Sequence, residues 1–414
     1  MSFLLYNISI HLYGFLIRIT SPFNIKARKW ISGRKDLLNN IREQISPESR
    51  IVWFHCASLG EFEQGRPLIE KFKSLHPEYR ILLTFFSPSG YEIRKNWELA
   101  DHIFYLPIDT ARNARAFIDA VRPERVFFIK YEYWYNYIHI LHLGNIPVYV
   151  VSAIFRPGHI FFKWYGKWFR KQLKKISWFF VQNKSSVELL EAAGIKNSTI
   201  SGDTRFDRVF QIVNQKRSFP EIEQFCKNSP VFVAGSTWPA DESRLQAMVN
   251  SDTGIKYIIA PHEINRDHIN SFIAGSNKKV ILYSSMTAEN IPGAEVLIID
   301  TIGILSHLYR YASISYIGGG FGKGIHNILE AVTFGKPVIF GPNYQKFQEA
   351  RDLIDQKGAF EVNNGKEITE ITQQLLHDQS LYTECADTCK QYIKSKIGAT
   401  QMILDQVFKK EDIK

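Results

Sequence analysis

The chain has 414 residues, 45% of them hydrophobic and 22% charged, which excludes a disordered chain and exceeds one typical core, so two domains are expected. Lys and Arg outnumber Asp and Glu by 51 to 41, a net charge of +10 that points to an anionic partner: nucleic acid, an anionic lipid headgroup or a phosphorylated substrate. No RNP, zinc-finger or helix-turn-helix signature occurs, so lipid ranks above nucleic acid, and the four cysteines show no paired framework, a reduced, cytoplasmic pattern.

Leu4 to Thr20 is apolar but interrupted by Asn7, His11 and Arg18, and its 17 residues fall short of the ~20 that span a bilayer. No small-residue cleavage site follows. Lys26, Arg28, Lys29, Arg34 and Lys35 come next, with Trp30 among them. An apolar, aromatic helix flanked by a basic cluster suits an anionic cytoplasmic leaflet, so residues 1–35 read as a membrane-associated segment. An interfacial helix and a short spanning one fit equally, and a first helix packed on its own domain is the alternative.

From Arg50 short runs rich in Val, Ile, Phe and Tyr alternate with helical stretches, the mark of buried parallel strands. The runs are 51–55, 80–85, 125–129, 147–152 and 177–182. A polar stretch with Pro220 interrupts them, and a second alternation begins at Val231 and continues through 256–260, 280–283, 296–299, 314–317 and 337–340. The expected architecture is α/β, with two Rossmann-like domains facing across a cleft: residues 36–212, a linker at 213–227, residues 228–395, and a C-terminal helix at 396–414 that crosses back to the first domain.

In the first domain W-F-H-C-A-S-L-G-E-F ends a strand and passes through Ser58 and Gly60 to Glu61 at a helix start. A carboxylate there can take a proton from an incoming hydroxyl, as glycosyl transfer requires of a general base, or can simply stabilise the helix N-terminus. Gly60 allows close approach of a substrate. S-P-S-G (Ser87–Gly90, with Ser89) and Y-E-Y-W-Y-N (Tyr131–Asn136, with Glu132) follow later strands, so hydroxyls, a carboxylate and aromatic faces would line one crevice. The basic and aromatic stretch His159–Lys175 is either a second lipid-facing surface or a solvated amphipathic helix. Gly202–Asp207, G-D-T-R-F-D, closes the domain.

The second domain offers G-S-T-W (Gly235–Trp238), A-P-H-E-I-N-R (Ala260–Arg266) and D-T-I-G-I-L (Asp300–Leu305), each a turn after a strand. The stretch Ala312–Gly341 reads as strand, triple-glycine turn (Gly318–Gly320), helix opened by His326 or Asn327, and strand. The N-terminus of such a helix cradles phosphate, and Glu330, one turn in, can accept hydrogen bonds from two ribose hydroxyls. No carboxylate pair is placed as a metal site.

In this order the motifs resemble the 3-deoxy-D-manno-octulosonic acid (Kdo) transferases of lipopolysaccharide assembly, two-domain GT-B glycosyltransferases. The likeness runs from about residue 35 to about residue 400. It implies inverting transfer of Kdo from CMP-Kdo to a lipid A precursor of the lipid IVA type, at the cytoplasmic face of the Gram-negative inner membrane, with no cofactor and no metal. It also implies Glu61 as general base, Ser58, Gly60, Ser89, Gly90 and Glu132 on the acceptor side, and Pro261, His262, Ile302, Gly303, Ile304, Asn327, Ile328, Leu329 and Glu330 around CMP. Two departures stand out: His262 and Glu263 follow Pro261 where the family commonly has arginine then histidine, and Gly324-Ile325 replaces a paired glycine. The competing readings are a UDP-sugar transferase of the same fold and a catalytically silent nucleotide- or lipid-binding module.

Overall fold

The computed structural model describes residues 2–215, 217–251 and 254–408. The chain divides into two units, residues 1–208 with 398–414, and residues 209–397. Each is built on one seven-stranded parallel sheet.

In the first unit the strands are β1 Ile51–Cys56, β2 Arg80–Phe85, β3 His102–Tyr105, β4 Pro123–Ile129, β5 Val148–Ala153, β6 Trp178–Val181 and β7 Ser198–Ile200, in the order β3-β2-β1-β4-β5-β6-β7. All six residues of β1 are buried, because helices cover both faces of a parallel sheet. Successive residues feed opposite cores: Ile51 and Trp53 join Phe117, Phe128 and Tyr137 on one face, while Val52, Phe54 and Cys56 join Phe62, Phe72 and Phe127 on the other. Edge strands β3 and β7 escape the sequence pattern because they are short and begin with His102 and Ser198.

Helices α1 Ser2–Thr20, α2 Ile25–Ser32 and α3 Leu37–Gln44 precede the sheet. The others of this unit are α4 Leu59–Leu75, α5 Pro88–Arg94, α6 Ala111–Val121, α7 Tyr135–Leu143, α8 Lys167–Leu173, α9 Lys184–Ala192 and α10 Arg205–Asn214, whose end runs into the second unit. Gly65 sets the depth of α4, since a Cβ there would lie 3.1 Å from Ile129 and 3.3 Å from Cys56. Serines and the glycine of S-P-S-G form no open turn: Pro88 starts α5, and Ser89 and Gly90 lie inside its first turn.

Helix α1 docks along this unit through Tyr6, Asn7, Ile10, Gly14 and Ile17, one face at helical spacing, and Gly14 alone is buried. Tyr6 donates to the buried Asp109 carboxylate, and Asn136 Nδ2 donates to Asn7 Oδ1 at 3.1 Å. Burial above all pushes the Asp109 carboxyl up to about 6, against the hydrogen bonds from Tyr6 and the Asn136 and Tyr137 amides. The opposite face leaves Leu5, Ile8, Leu12, Leu16 and Ile19 half or more exposed. Of the basic cluster that follows, Arg34 turns inward: it donates to the carbonyls of Trp30, Phe86 and Leu106 and stacks 3.9 Å from the Trp30 ring.

The second unit carries β8 Val231–Thr237, β9 Lys256–Pro261, β10 Val280–Leu282, β11 Val296–Ile298, β12 Ile314–Ile317, β13 Val338–Phe340 and β14 Ala359–Glu361, ordered β10-β11-β9-β8-β12-β13-β14. Its helices are α11 Pro220–Cys226, α12 Pro239–Asn250, α13 Arg266–Gly275, α14 Leu305–Leu308, α15 Leu329–Val332, α16 Gln348–Asp355, α17 Gly365–His377 and α18 Gln379–Lys394. The stretch read as linker, 213–227, thus contains α11, started by Pro220 at its N-terminus and burying Ile222 and Phe225. Lys216 lies outside the described residues.

Helix α19, Ala399–Phe408, belongs to the first unit. Asp207 of the G-D-T-R-F-D motif caps its start, accepting from the Gly398 and Thr400 amides at 2.6 and 2.7 Å. Ile403, Leu404 and Val407 then enter the core beside Phe72, each such side chain contributing ~1.5–3 kcal/mol when fully buried. Residues 409–414 lie outside the described residues.

Candidate active site

The first unit gathers its polar side chains at the C-terminal ends of β1, β2 and β4, where strand order reverses and ligand sites form in such sheets. Ser58 ends the loop after β1 and precedes α4, so Glu61 falls in that helix's first turn, at the favourable dipole end. The Ser58 hydroxyl donates to Glu61 Oε2, which fixes the carboxylate while leaving Oε1 available. Gly60 is exposed, and a Cβ added there would meet only Ser58 Oγ at 3.7 Å. The fold therefore has no need of glycine at this position, and the open space lies beside Glu61.

Ser87 and Ser89 hydroxyls pair at 2.6 Å at the start of α5, and the Ser87 amide ties to Ala57 O at 2.8 Å. Gly90, by contrast, is buried, and any Cβ would strike the Phe85 ring at 2.2 Å. Its role is packing under the loop.

Glu132 is buried at the end of β4 and takes part in a polar chain that the sequence reading overlooked. Trp134 Nε1 donates to Glu132 Oε2 at 2.7 Å, and His55 Nε2 stands 3.3 Å from the same oxygen. His55 is fully buried; its Nδ1 meets Thr84 Oγ1 at 2.8 Å, and Thr84 in turn accepts from Trp53 Nε1 at 2.7 Å. Trp134 Nε1 also stands 3.0 Å from His55 Nε2, so its N–H is shared between that ring nitrogen and the Glu132 carboxylate. The available signal was a histidine and a threonine at inward positions of otherwise apolar strands, where a polar side chain needs a partner.

Behind these groups the G-D-T-R-F-D motif holds the helix that bears Glu61. Gln64 Nε2 donates to both Asp203 oxygens at 3.1 and 3.2 Å, Thr204 donates to Gln64 O, and Arg205 bridges Asp203 at 2.8 Å. Burial raises the Asp203 carboxyl, but Arg205 and Gln64 outweigh it and hold the group below the usual carboxylate range.

The corresponding edge of the second unit is made of backbone turns and rings. Gly318, Gly319 and Gly320 follow β12; Gly319 adopts φ +91°, and Cβ atoms on Gly318 and Gly320 would lie 2.2 Å from Ser236 O and 2.5 Å from the Gly341 amide. Asp241, buried at the start of α12, accepts from the Gly319 amide, the Trp238 amide and the Tyr316 hydroxyl at 2.8–2.9 Å. That carboxylate, rather than a ligand, occupies the central N–H of the glycine turn.

The expected helix from His326 or Asn327 is only one turn, Leu329–Val332. The Ile325 and His326 amides bond to Asn343 O and Gly318 O at 3.2 and 3.1 Å, which holds them outside helical geometry. Ile328 and Leu329 are buried and can offer a ligand only backbone, whereas Asn327 is exposed and donates to Glu330 Oε1 at 3.0 Å. Burial, and secondarily the Glu330 charge, hold the Tyr309 phenol well above its ordinary range.

Pro261 ends β9, and His262 is exposed with its amide on Thr237 O at 2.9 Å. Its ring lies between those of Trp238 and His326, with centroids at 4.7 and 4.2 Å. Trp238 Nε1 donates to His326 Nε2 at 2.9 Å, which requires an unprotonated acceptor nitrogen. Burial and the neighbouring His262 lower the His326 pKa accordingly, against the pull of Asp241. Sequence reading named His262 but not this three-ring stack. Ile302, 90% exposed, and Gly303 at φ +93° project from the turn after β11, while Ile304 is buried beneath them.

Residues 32–208 match the family model described as 3-deoxy-D-manno-octulosonic-acid transferase (kdotransferase). Over 381 residues the chain is 26% identical to a 3-deoxy-D-manno-octulosonic acid transferase of Rickettsia typhi, covering 89% of this chain and 80% of that one. Another transferase of that name, from Aquifex aeolicus, is 28% identical over 333 residues, covering 78% and 86%. Among solved structures, UDP-GlcNAc 2-epimerase from Neisseria meningitidis superimposes with a TM-score of 0.62 at 15% identity, covering 87% of this chain and 100% of that one, a likeness of fold alone. The first unit thus matches the Kdo transferase family model, most of the chain is similar to named Kdo transferases, and the fold is the two-domain GT-B fold.

Proposed function

We propose that this enzyme transfers Kdo from CMP-Kdo, with inversion, to a lipid A precursor of the lipid IVA type, at the cytoplasmic face of the inner membrane in lipopolysaccharide synthesis. The observation that carries the reading is Glu61, fixed by Ser58 at the N-terminus of α4 beside the open space at Gly60. Glu61 takes the proton of the acceptor hydroxyl as its oxygen attacks the anomeric carbon; the bond from that carbon to the phosphate oxygen breaks, and CMP departs as a monophosphate. Ser58, Ser89 and Glu132 hold the acceptor, with Gly60 admitting it and Gly90 keeping the loop packed.

Donor contacts are assigned to Pro261 and His262, the Ile302–Gly303–Ile304 backbone, and Asn327, Ile328, Leu329 and Glu330. The exposed Asn327–Glu330 pair suits ribose hydroxyls, and the ring of His262 offers a stacking face where the family commonly has arginine. A monophosphate leaving group gives a divalent ion no diphosphate to bridge, so transfer proceeds without metal. Helix α1, docked by one face and apolar on the other, associates the enzyme with the membrane.

The test is transfer of labelled sugar from CMP-Kdo to a tetraacylated lipid A precursor in chelator, with wild type beside Glu61→Gln. The reading requires transfer by wild type and a variant that binds CMP yet turns over at least ~100-fold more slowly. A folded, CMP-binding wild type that transfers nothing, or one that magnesium restores, contradicts it.

A further inference from the structure

Between α1 and the body of the first unit runs a groove of about 1230 Å³, larger than the ~300–1,000 Å³ of an ordinary small-molecule site. Its walls come from α1, from the α2–α3 turn and from the segment that leads into α6. Leu4, Ile31, Leu38, Pro107, Ile108 and Ala116 supply an apolar lining. Gly14 marks a close approach of α1, where a Cβ would lie 2.8 Å from Ile108, and Tyr6 and Asn7 tie the helix down further along, so α1 roofs the space beside it.

Charge on the groove is one-sided. Arg18, Lys35, Arg42 and Arg112 line its rim and are exposed, against the single carboxylate of Asp36. Among the described residues none of the four cations pairs with a carboxylate, in contrast to Arg34, which is committed to three carbonyls inside. An apolar trough rimmed by unpaired cations matches an anionic amphiphile: chain within, phosphate at the edge.

Continuity with the reacting edge selects which amphiphile. Trp134, which donates to Glu132, lies against Phe86 with ring centroids 4.5 Å apart. Phe86 in turn meets Trp30 at 5.8 Å and Tyr13 of α1 at 5.9 Å, and Trp30 lines the groove. A continuous chain of aromatic contacts therefore leads from the carboxylates at the strand ends to the trough beneath α1.

We propose that this groove is an acyl-chain site, in which a fatty-acyl chain of the phosphorylated lipid acceptor lies under α1 while the rim arginines and lysine meet its phosphate. The inference rests on the transferase reading above and adds where the lipid part of the acceptor goes. It makes acceptor affinity, and not donor affinity or turnover, depend on acylation.

Ala116→Trp fills the trough from a helical position, and Arg112→Glu reverses one rim charge on an exposed side chain that carries no fold risk. Transfer kinetics are measured with CMP-Kdo and two acceptors bearing the same phosphates, one tetraacylated and one fully deacylated. Wild type is expected to show a KM at least ~10-fold lower for the acylated acceptor, the scale at which apolar pockets discriminate. Ala116→Trp should abolish that difference and Arg112→Glu should raise both acceptor KM values, with kcat and the CMP-Kdo KM unmoved. Equal KM values for the two acceptors in wild type, or an Ala116→Trp effect shared equally by both, overturn the proposal. So does loss of co-purifying membrane phospholipid from the variant with acceptor kinetics intact, which gives the groove to a different lipid. Binding of the acylated precursor in detergent is measured in parallel. If wild type transfers to neither acceptor, the transferase reading fails by itself, and binding lost in Ala116→Trp still supports the groove while equal binding overturns it.

Discussion

The C-terminal edges of the two sheets use different materials. In the first unit carboxylates are fixed by neighbouring side chains: Glu61 by Ser58, Glu132 by Trp134 and His55, Asp203 by Gln64 and Arg205. In the second the surface consists of glycine backbone and stacked rings, and its central carboxylate, Asp241, is spent on holding the Gly319 turn. Carboxylates offer proton acceptance and orientation of hydroxyls; backbone turns and flat rings offer shape and stacking to a nucleotide. On the proposed reading, the same sheet architecture serves the two halves of a group transfer, one edge activating the acceptor and the other gripping the donor.

The contrast can be broken at either edge. Glu61→Gln should have the largest effect, a kcat at least ~100-fold lower with CMP affinity unchanged by calorimetry, since an amide cannot take the acceptor proton. In the second unit, Gly319→Ala forces φ +91° on a residue with a Cβ 2.4 Å from Gly324 O. It should cost ~1–3 kcal/mol in urea unfolding and weaken CMP binding, leaving the first unit's acceptor affinity alone. His55→Phe leaves Thr84 Oγ1 and Glu132 with one partner fewer in a buried place. We expect ~1–3 kcal/mol lost and a raised acceptor KM, with the donor KM unaffected; an unchanged acceptor KM would make the chain of bonds purely structural. The smallest expected effect is on pH. Because His326 is depressed in the folded protein, its contribution is complete above the ordinary histidine range and is lost as pH falls through the lowered value. Thermal stability should therefore decline on acidification less steeply in His326→Gln than in wild type.

Much of this was legible from residues alone, and the limits follow from how far apart the partners lie. Continuous runs of β-branched and aromatic residues mark β1, β2, β4 and most central strands, and the loop from Ser58 to Glu61 fixes a carboxylate at a helix start whatever surrounds it. Those are local properties of ten residues or fewer. The inward turn of Arg34, counted from sequence with the surface cations, depends on the carbonyls of Phe86 and Leu106. Helix α15 is shortened by Asn343 and Gly318, and α11 forms in a polar stretch because Ile222 and Phe225 find a core to enter. The chain from Trp53 through Thr84 and His55 to Glu132 joins three strands, and the Trp238–His262–His326 stack joins three turns. Sequence by itself determined the element types, the parallel α/β class and the place of Glu61, because backbone propensity and burial period act over neighbours. Only the tertiary structure decided which buried polar groups satisfy one another and where α1 leaves a groove, because hydrogen bonds and packing between distant segments exist only once the sheets have assembled.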